Sequence, residues 1–200
     1  TTGGIGLLTP HIVLYVRTEA APASDGTGRL AVGVARSALI RPEWMISTQL
    51  LEANADAVRR AADDAGMSPS EIEYVVGKAY YPTKQAFAKA RAAGHTIPEL
   101  DPRVLFRRAS GSAGLGVAVA ADGLPLPRAE DIGSRLDLWS GKVAVSANEW
   151  EPVGGEGPQT QLIALGNRAG AGGRLRVGHA AMNDALDADA TTLLGGGSII

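Results

Sequence analysis

The sequence predicts an α+β fold assembled from repeated sheet-and-helix units. Three observations carry that expectation. Apolar runs rich in β-branched residues alternate with segments of helical period, and Gly or Pro punctuates the joins. The segments "GRLAVGVARS" and "GKVAVSANEW" share a Gly, basic, apolar, Ala, Val order, and each opens a stretch of strand, loop, strand and helix. That echo suggests two copies of a unit about 100 residues long, the second cut short. The chain also carries 26 glycines but only 4% aromatic residues, a composition suited to tight turns and close backbone approaches.

The elements follow in order. "HIVLYVRTEA" reads as a strand, "APASDGTG" as turn chemistry, and "RLAVGVARS" as a second strand, together a hairpin with a long loop. The clearest helix lies in "RPEWMISTQLLEANADAVRRAADDAG". Leu50, Leu51, Ala57, Val58, Ala61, Ala62 and Ala65 follow its period, and Asn54 is the one polar residue on the stripe. Gly66 stops it, and "SPSEIE" supplies a turn and cap. "EIEYVVGKAY" is a strand ending in Lys78, and "PTKQAFAKARAAG" is a second helix between Pro and Gly. The next segment begins extended, passes a Gly/Ser turn in "RASGSAGLG", and continues as a small-residue helix. "KVAVSANEWE" and "QLIALGN" are two further strands, and "LRVGHAAMNDALDADATTLLGGG" reads as strand, helix and stop.

Composition excludes several classes of function. Two hundred residues with 45% hydrophobic and 20% charged content suit a globular domain with a sizeable core. A net charge of -2 gives no electrostatic reason for nucleic acid or an anionic membrane as partner. No apolar run reaches the roughly 18 residues of a spanning helix, and no signal-like start is present, so a cytoplasmic setting is expected. Cysteine is absent, which removes disulfides, thiolate catalysis and Cys-based metal sites. His11, His95 and His179 are scattered without metal-ligand spacing, and neither Gly run, at 154–155 or 195–197, continues as a phosphate loop. No metal or cofactor is expected.

Four groups of residues have chemical potential. The chain opens "TTGGIGLLTPH", and a free α-amine on Thr1 would make it a candidate nucleophile. Lys78, on an apolar strand, is either a solvated strand-end lysine or a base for a hydroxyl. Ser110 and Ser112 flank Gly111. Either they present a hydroxyl beside open N–H groups, as an oxyanion hole needs, or they cap a helix of small residues. Arg91 is either an exposed helix arginine or a fork for substrate carbonyls.

Read in order, these pieces resemble the ring-opening amidohydrolases, the cyanuric acid amidohydrolase and barbiturase family. "GIGLLTPHIVLYVR" resembles the segment after that family's first Ser-Gly-Gly motif. "AVRRAADDAGMSPSEIEYVVGKAYYPTKQAFAKARAAG" resembles its second repeat, "SGSAGLGVAVA" its second serine turn, and "GHAAMNDALDADA" the helix opening its third repeat. The resemblance implies three α+β repeats about a pseudo-threefold axis, each offering a Ser-Lys pair and an Arg. This chain would then hold the end of the first repeat in 1–37, the second repeat in 38–140 and a truncated third in 141–200. Lys78 matches the repeat's lysine and Arg91 its substrate-binding arginine. The family pattern resembles Ser-Arg-Gly-Ala-Ser-Ala-Leu-Gly. Ungapped, it puts Ala109 at the nucleophile position, and a one-residue slip puts Ser110 there. Thr1 falls on the serine of the first Ser-Gly-Gly motif, or Thr2 after a slip.

The expected function is therefore hydrolysis of a cyclic urea-, imide- or lactam-like amide. Thr1 or Ser110 would attack, and Lys78 or the Thr1 amine would take the proton. N–H groups around Gly3, Gly4, Gly111 and Ser112 would hold the oxyanion, with Thr2 nearby, and Arg91 would hold a carbonyl. Self-cleavage before Thr1, leaving a companion chain in an oligomer, is one expectation. A start set by trimming, or a separately encoded subunit, is the other. Two rival functions stand beside this one: an N-terminal-threonine acyltransferase, and a non-catalytic subunit completing a partner's site.

Overall fold

A mixed four-stranded sheet with helices against one face is the frame on which the chemistry is laid out. The structure, a computed structural model, describes residues 14–17, 26–150 and 157–180. In chain order the elements are β1 (Arg29–Arg36), α1 (Gln49–Ala65), β2 (Ile72–Tyr81), α2 (Lys84–Ala92), α3 (Pro102–Ala121), β3 (Val143–Glu149) and β4 (Gln161–Arg168). The strands lie in the order β1-β4-β2-β3. β4 is antiparallel to both neighbours, whereas β2 and β3 run parallel. A parallel pair needs a long crossover, and α2 and α3 supply it.

The predicted α1 forms for the reasons its period gave. Leu50, Leu51, Asn54, Ala57, Val58, Ala61, Ala62 and Ala65 are all buried along one stripe. Gly66 ends the helix at φ 66°, a conformation without a Cβ penalty, and its N–H bonds back to Ala62 and Asp63. Ser68 and Glu71 then form a capping box around a short 3-10 turn. α2 starts at Lys84, two residues after its proline, because Thr83 caps it by accepting from the Ala86 N–H at 3.1 Å.

Several expectations change. First, the "RLAVGVARS" strand pairs with β4 along its whole length, not with a hairpin partner upstream. Residues 14–17 of that upstream segment are not in a strand, and the rest of it lies outside the described residues. Second, β2 does not end at Lys78: its pairing with β3 continues through Tyr81↔Glu149. Third, the Gly/Ser stretch is no turn. α3 runs without interruption from Pro102 to Ala121. Its glycines serve close packing instead. A Cβ at Gly111 would stand 2.6 Å from the Gly133 N, one at Gly114 2.7 Å from the Trp139 ring, and one at Gly116 2.9 Å from the Asn54 Cβ.

Two core clusters lie between the sheet and the helices. One joins Val58, Ala61 and Val117 to Val75, Leu162 and Ala164. The other joins Leu105, Ala109 and Ala113 to Ala79 and Ala147. Side chains alternate along strands, so Val76, Lys78 and Tyr80 of β2, with Ser146 and Asn148 of β3, occupy the opposite face. No helix of the described residues packs there, and Val34 on that face is 53% exposed. The two echo segments form β1 and β3, the two edge strands of this one sheet. The "LRVGH" segment is not a strand. The Asn167 side chain instead brackets Val177, accepting from its N–H at 2.9 Å and donating to its C=O at 2.7 Å. The helix expected after it lies outside the described residues.

A candidate active site on one face of the sheet

Parallel pairing of β2 with β3 sets Lys78 directly beside Ser146. Lys78 Nζ donates to Ser146 Oγ at 3.2 Å and to Asn148 Oδ1 at 2.8 Å. The Tyr80 ring centroid lies 5.9 Å from the same nitrogen. Trp150 packs edge-on against Tyr80, with centroids 5.0 Å apart. An amine, a hydroxyl and an aromatic wall thus share one surface. An amine within hydrogen-bond distance of a hydroxyl, with a second acceptor on the amine, is the geometry that a nucleophile and its base require.

The residues singled out from the sequence are distributed differently from expectation. Lys78 is in the site. Ser110 is not beside it: it lies inside α3, across the sheet from the Lys78 side chain. Its Oγ donates to the Phe106 carbonyl at 2.8 Å, the common use of a mid-helix serine. Gly111 is likewise helix interior, so its N–H belongs to the helical ladder and not to an open turn. Ser112 is fully buried, accepts from Asn54 Nδ2 at 3.0 Å and donates to the Ala109 carbonyl at 2.9 Å. Asn54, the polar residue of the α1 stripe, is thereby explained as half of an interhelix bond.

Arg91 donates from Nε to the Ile97 carbonyl and from Nη2 to the Pro98 carbonyl, both at 2.9 Å. It fastens the loop after α2 and lines a cleft of about 160 Å³ with Tyr81, Phe87, Glu99 and Glu149. That cleft opens on the helix side of the sheet and contains neither Lys78 nor Ser146. Burial, with a smaller contribution from Glu149, raises the pKa of the Tyr81 hydroxyl there. Arg108 is half-buried and donates to the Met45 and Ala129 carbonyls, and burial holds its pKa below the usual arginine value. Thr1, Thr2, Gly3 and Gly4 lie outside the described residues.

Ser146 and Asn148 were missed by sequence reasoning. The signal was present but indirect: "KVAVSANEW" reads as a strand with Ser and Asn at alternate positions, hence on one face. What the sequence lacks is the register that sets this face beside Lys78, 68 residues away.

The mixed sheet thus sets a lysine amine beside a serine hydroxyl, a pairing that one class of hydroxyl-nucleophile enzymes uses. The comparisons narrow the class. The family model described as amidohydrolase ring-opening protein matches residues 1–194, and the chain belongs to that family. Barbiturase 1 of a Nocardioides species is 33% identical over 94% of this chain and 50% of its own length. A cyanuric acid amidohydrolase of Ectopseudomonas oleovorans is 35% identical over 94% of this chain and 51% of its own. A solved cyanuric acid hydrolase, described as an innovation by structural concatenation, superposes with a TM-score of 0.71 at 26% identity, covering 92% of this chain and 48% of that one. The chain spans about half the length of the curated relatives it matches.

Proposed function

We propose that this chain supplies a Ser–Lys pair for the hydrolytic opening of a cyclic amide, with Ser146 as nucleophile and Lys78 as base. The observation that carries the reading is the 3.2 Å contact between Lys78 Nζ and Ser146 Oγ on the sheet face that no helix of the described residues covers. The neutral Lys78 amine takes the Ser146 proton as Oγ attacks the ring carbonyl. The tetrahedral intermediate collapses, the ring C–N bond breaks, and the Lys78 ammonium returns its proton to the leaving nitrogen. Water then attacks the acyl-enzyme, giving a proton to Lys78; the ester C–O bond breaks, Lys78 returns that proton to Ser146 Oγ, and the ring-opened acid leaves with both residues restored.

The substrate class follows from the relatives, named for barbiturate, cyanuric acid and cyclic amides. The Tyr80–Trp150 wall beside the pair suits a flat heterocycle. A further segment, from the rest of a longer protein, another chain or a second copy, covers this face and completes the oxyanion donors. The half-length match and the exposed Val34 support this.

The test is ring-opening of barbiturate and cyanuric acid by the full chain, with any companion chain present. Ser146→Ala and Lys78→Ala are each expected to lower kcat by about 10³-fold or more. Thr1→Ala is the decisive control. If it abolishes turnover while Ser146→Ala does not, the N-terminal hydroxyl is the nucleophile and the present assignment fails. Adding an amine acceptor and finding acyl transfer in place of the acid would establish the transferase instead.

A further inference from the structure

We infer that Asn148 is a positioning residue that holds the Lys78 amine against Ser146; the inference rests on the Ser–Lys reading above. Lys78 and Asn148 stand on neighbouring strands, two positions apart along the register, because Lys78 pairs with Ser146 and Tyr80 with Asn148. Both side chains occupy the face that no helix of the described residues covers, and the 2.8 Å bond from Nζ to Asn148 Oδ1 is shorter than the 3.2 Å bond to Ser146 Oγ. A lysine stem has four rotatable bonds, so one acceptor leaves the amine free to swing. Two acceptors on one rigid strand fix it. Asn148 thus does for Lys78 what the third member of a catalytic triad does for its base, and does so without a charge.

The neutrality matters. Among the described residues, the side chains facing Lys78 are Tyr80 on its own strand, Ser146 and Asn148 on β3, and Gln161, its register partner on β4. None of these is a carboxylate. Glu149, next to Asn148 in sequence, points to the other face and accepts from the Lys84 N–H at 3.3 Å. An amide orients the amine while leaving it able to give up its proton. A carboxylate in the same place would orient it equally well but hold it as ammonium.

Asn148→Asp and Asn148→Ala separate these contributions. Asn148 is exposed, so both variants are expected to fold with melting temperatures close to the parent's. The first readout is acetylation of Lys78 against pH, followed by mass spectrometry in the full chain. Asn148→Asp is expected to move the labelling midpoint up by about one pH unit. The second is the pH profile of kcat for ring-opening. The Asp variant shows its acid limb displaced by the same amount, with turnover recovered at high pH. The Ala variant, lacking any acceptor, loses about 10-fold or more in kcat at every pH with KM little changed. An unmoved labelling midpoint in Asn148→Asp, or parental kcat in Asn148→Ala, overturns the inference. Failure of the Ser–Lys reading looks different: Lys78→Ala would retain turnover, whereas the labelling titration needs no activity and still reports on Asn148.

Discussion

Asn54 of α1 and Ser112 of α3 are joined by a buried bond of 3.0 Å, and both are completely inaccessible. The amide donates, and the Ser112 hydroxyl in turn donates a hydrogen bond to the Ala109 carbonyl. Asn54 Oδ1 finds no partner among the described residues. The bond therefore sets the register of two helices at an energetic cost that packing must offset. Ser112→Ala leaves the whole Asn54 amide unpaired and is expected to destabilise by about 1–3 kcal/mol. Replacing both partners, as Asn54→Leu with Ser112→Ala, removes the orphan and is expected to cost less than the sum of the singles. Urea unfolding of the four proteins measures the coupling. Strict additivity would mean that the bond carries no net energy.

The small residues of α3 make a second prediction. Gly114 lies under the Trp139 ring and Gly116 against Asn54, where an added Cβ meets a rigid ring or the neighbouring helix backbone. Neither obstacle is a flexible side-chain end. Gly114→Ala and Gly116→Ala are expected to destabilise by about 1–3 kcal/mol through overpacking, although alanine is the better helix former by about 1 kcal/mol. Gly123, just beyond the helix at φ 73°, has no atom near its Cβ position. Its substitution loses only through backbone conformation. Thermal melts that rank Gly123→Ala below the two helix variants would refute a packing role.

Ser110 and Ser146 separate the chemistry from the scaffold. The Ser110 hydroxyl is engaged with its own helix, on the opposite side of the sheet from the Lys78 amine. Ser110→Ala is expected to leave kcat within about two-fold of the parent, because a buried serine bonded to i−4 contributes little beyond local packing. A loss of several orders of magnitude in Ser110→Ala, with Ser146→Ala active, would return the nucleophile to α3.

How much was legible in the sequence depended on the range of the forces involved. α1, its Gly66 stop and the Ser68 cap are written in local period and capping chemistry, and they form as read. Lys78 was visible as a polar residue in an apolar run. The Gly/Ser stretch of α3 was misread because glycine signals both a turn and a close helix contact, and only Gly133, Trp139 and Asn54, brought near by the fold, decide between them. The partner of Lys78 was invisible for a similar reason. Ser146 reaches it through strand pairing, and a one-residue slip would have faced it into the core. The family resemblance supplied the Ser–Lys idea, and the register points to a different serine.

The edge of β1 provides a prediction about pH. Asp64, near the end of α1, accepts from the Val34 N–H at 2.9 Å, and Arg60 donates to the Arg36 carbonyl at 2.7 Å, so α1 occupies edge groups that a stray strand would otherwise pair with. The Val34 N–H, assisted by the Arg17 guanidinium, holds the Asp64 carboxyl below its usual pKa against the opposing pull of burial. A depressed folded-state value means that the carboxylate stabilises the fold fully above the unfolded value of about 3.9. That stability is lost as pH falls through the folded value. The side chain is 35% exposed, so solvent screening limits the contribution to about 1 kcal/mol or less. Asp64→Asn keeps the acceptor but loses the charge. Its deficit against the parent in urea unfolding is expected to be clear at pH 7 and to shrink near pH 3. A deficit of equal size at both pH values would assign the whole effect to shape and hydrogen bonding and leave the charge no role.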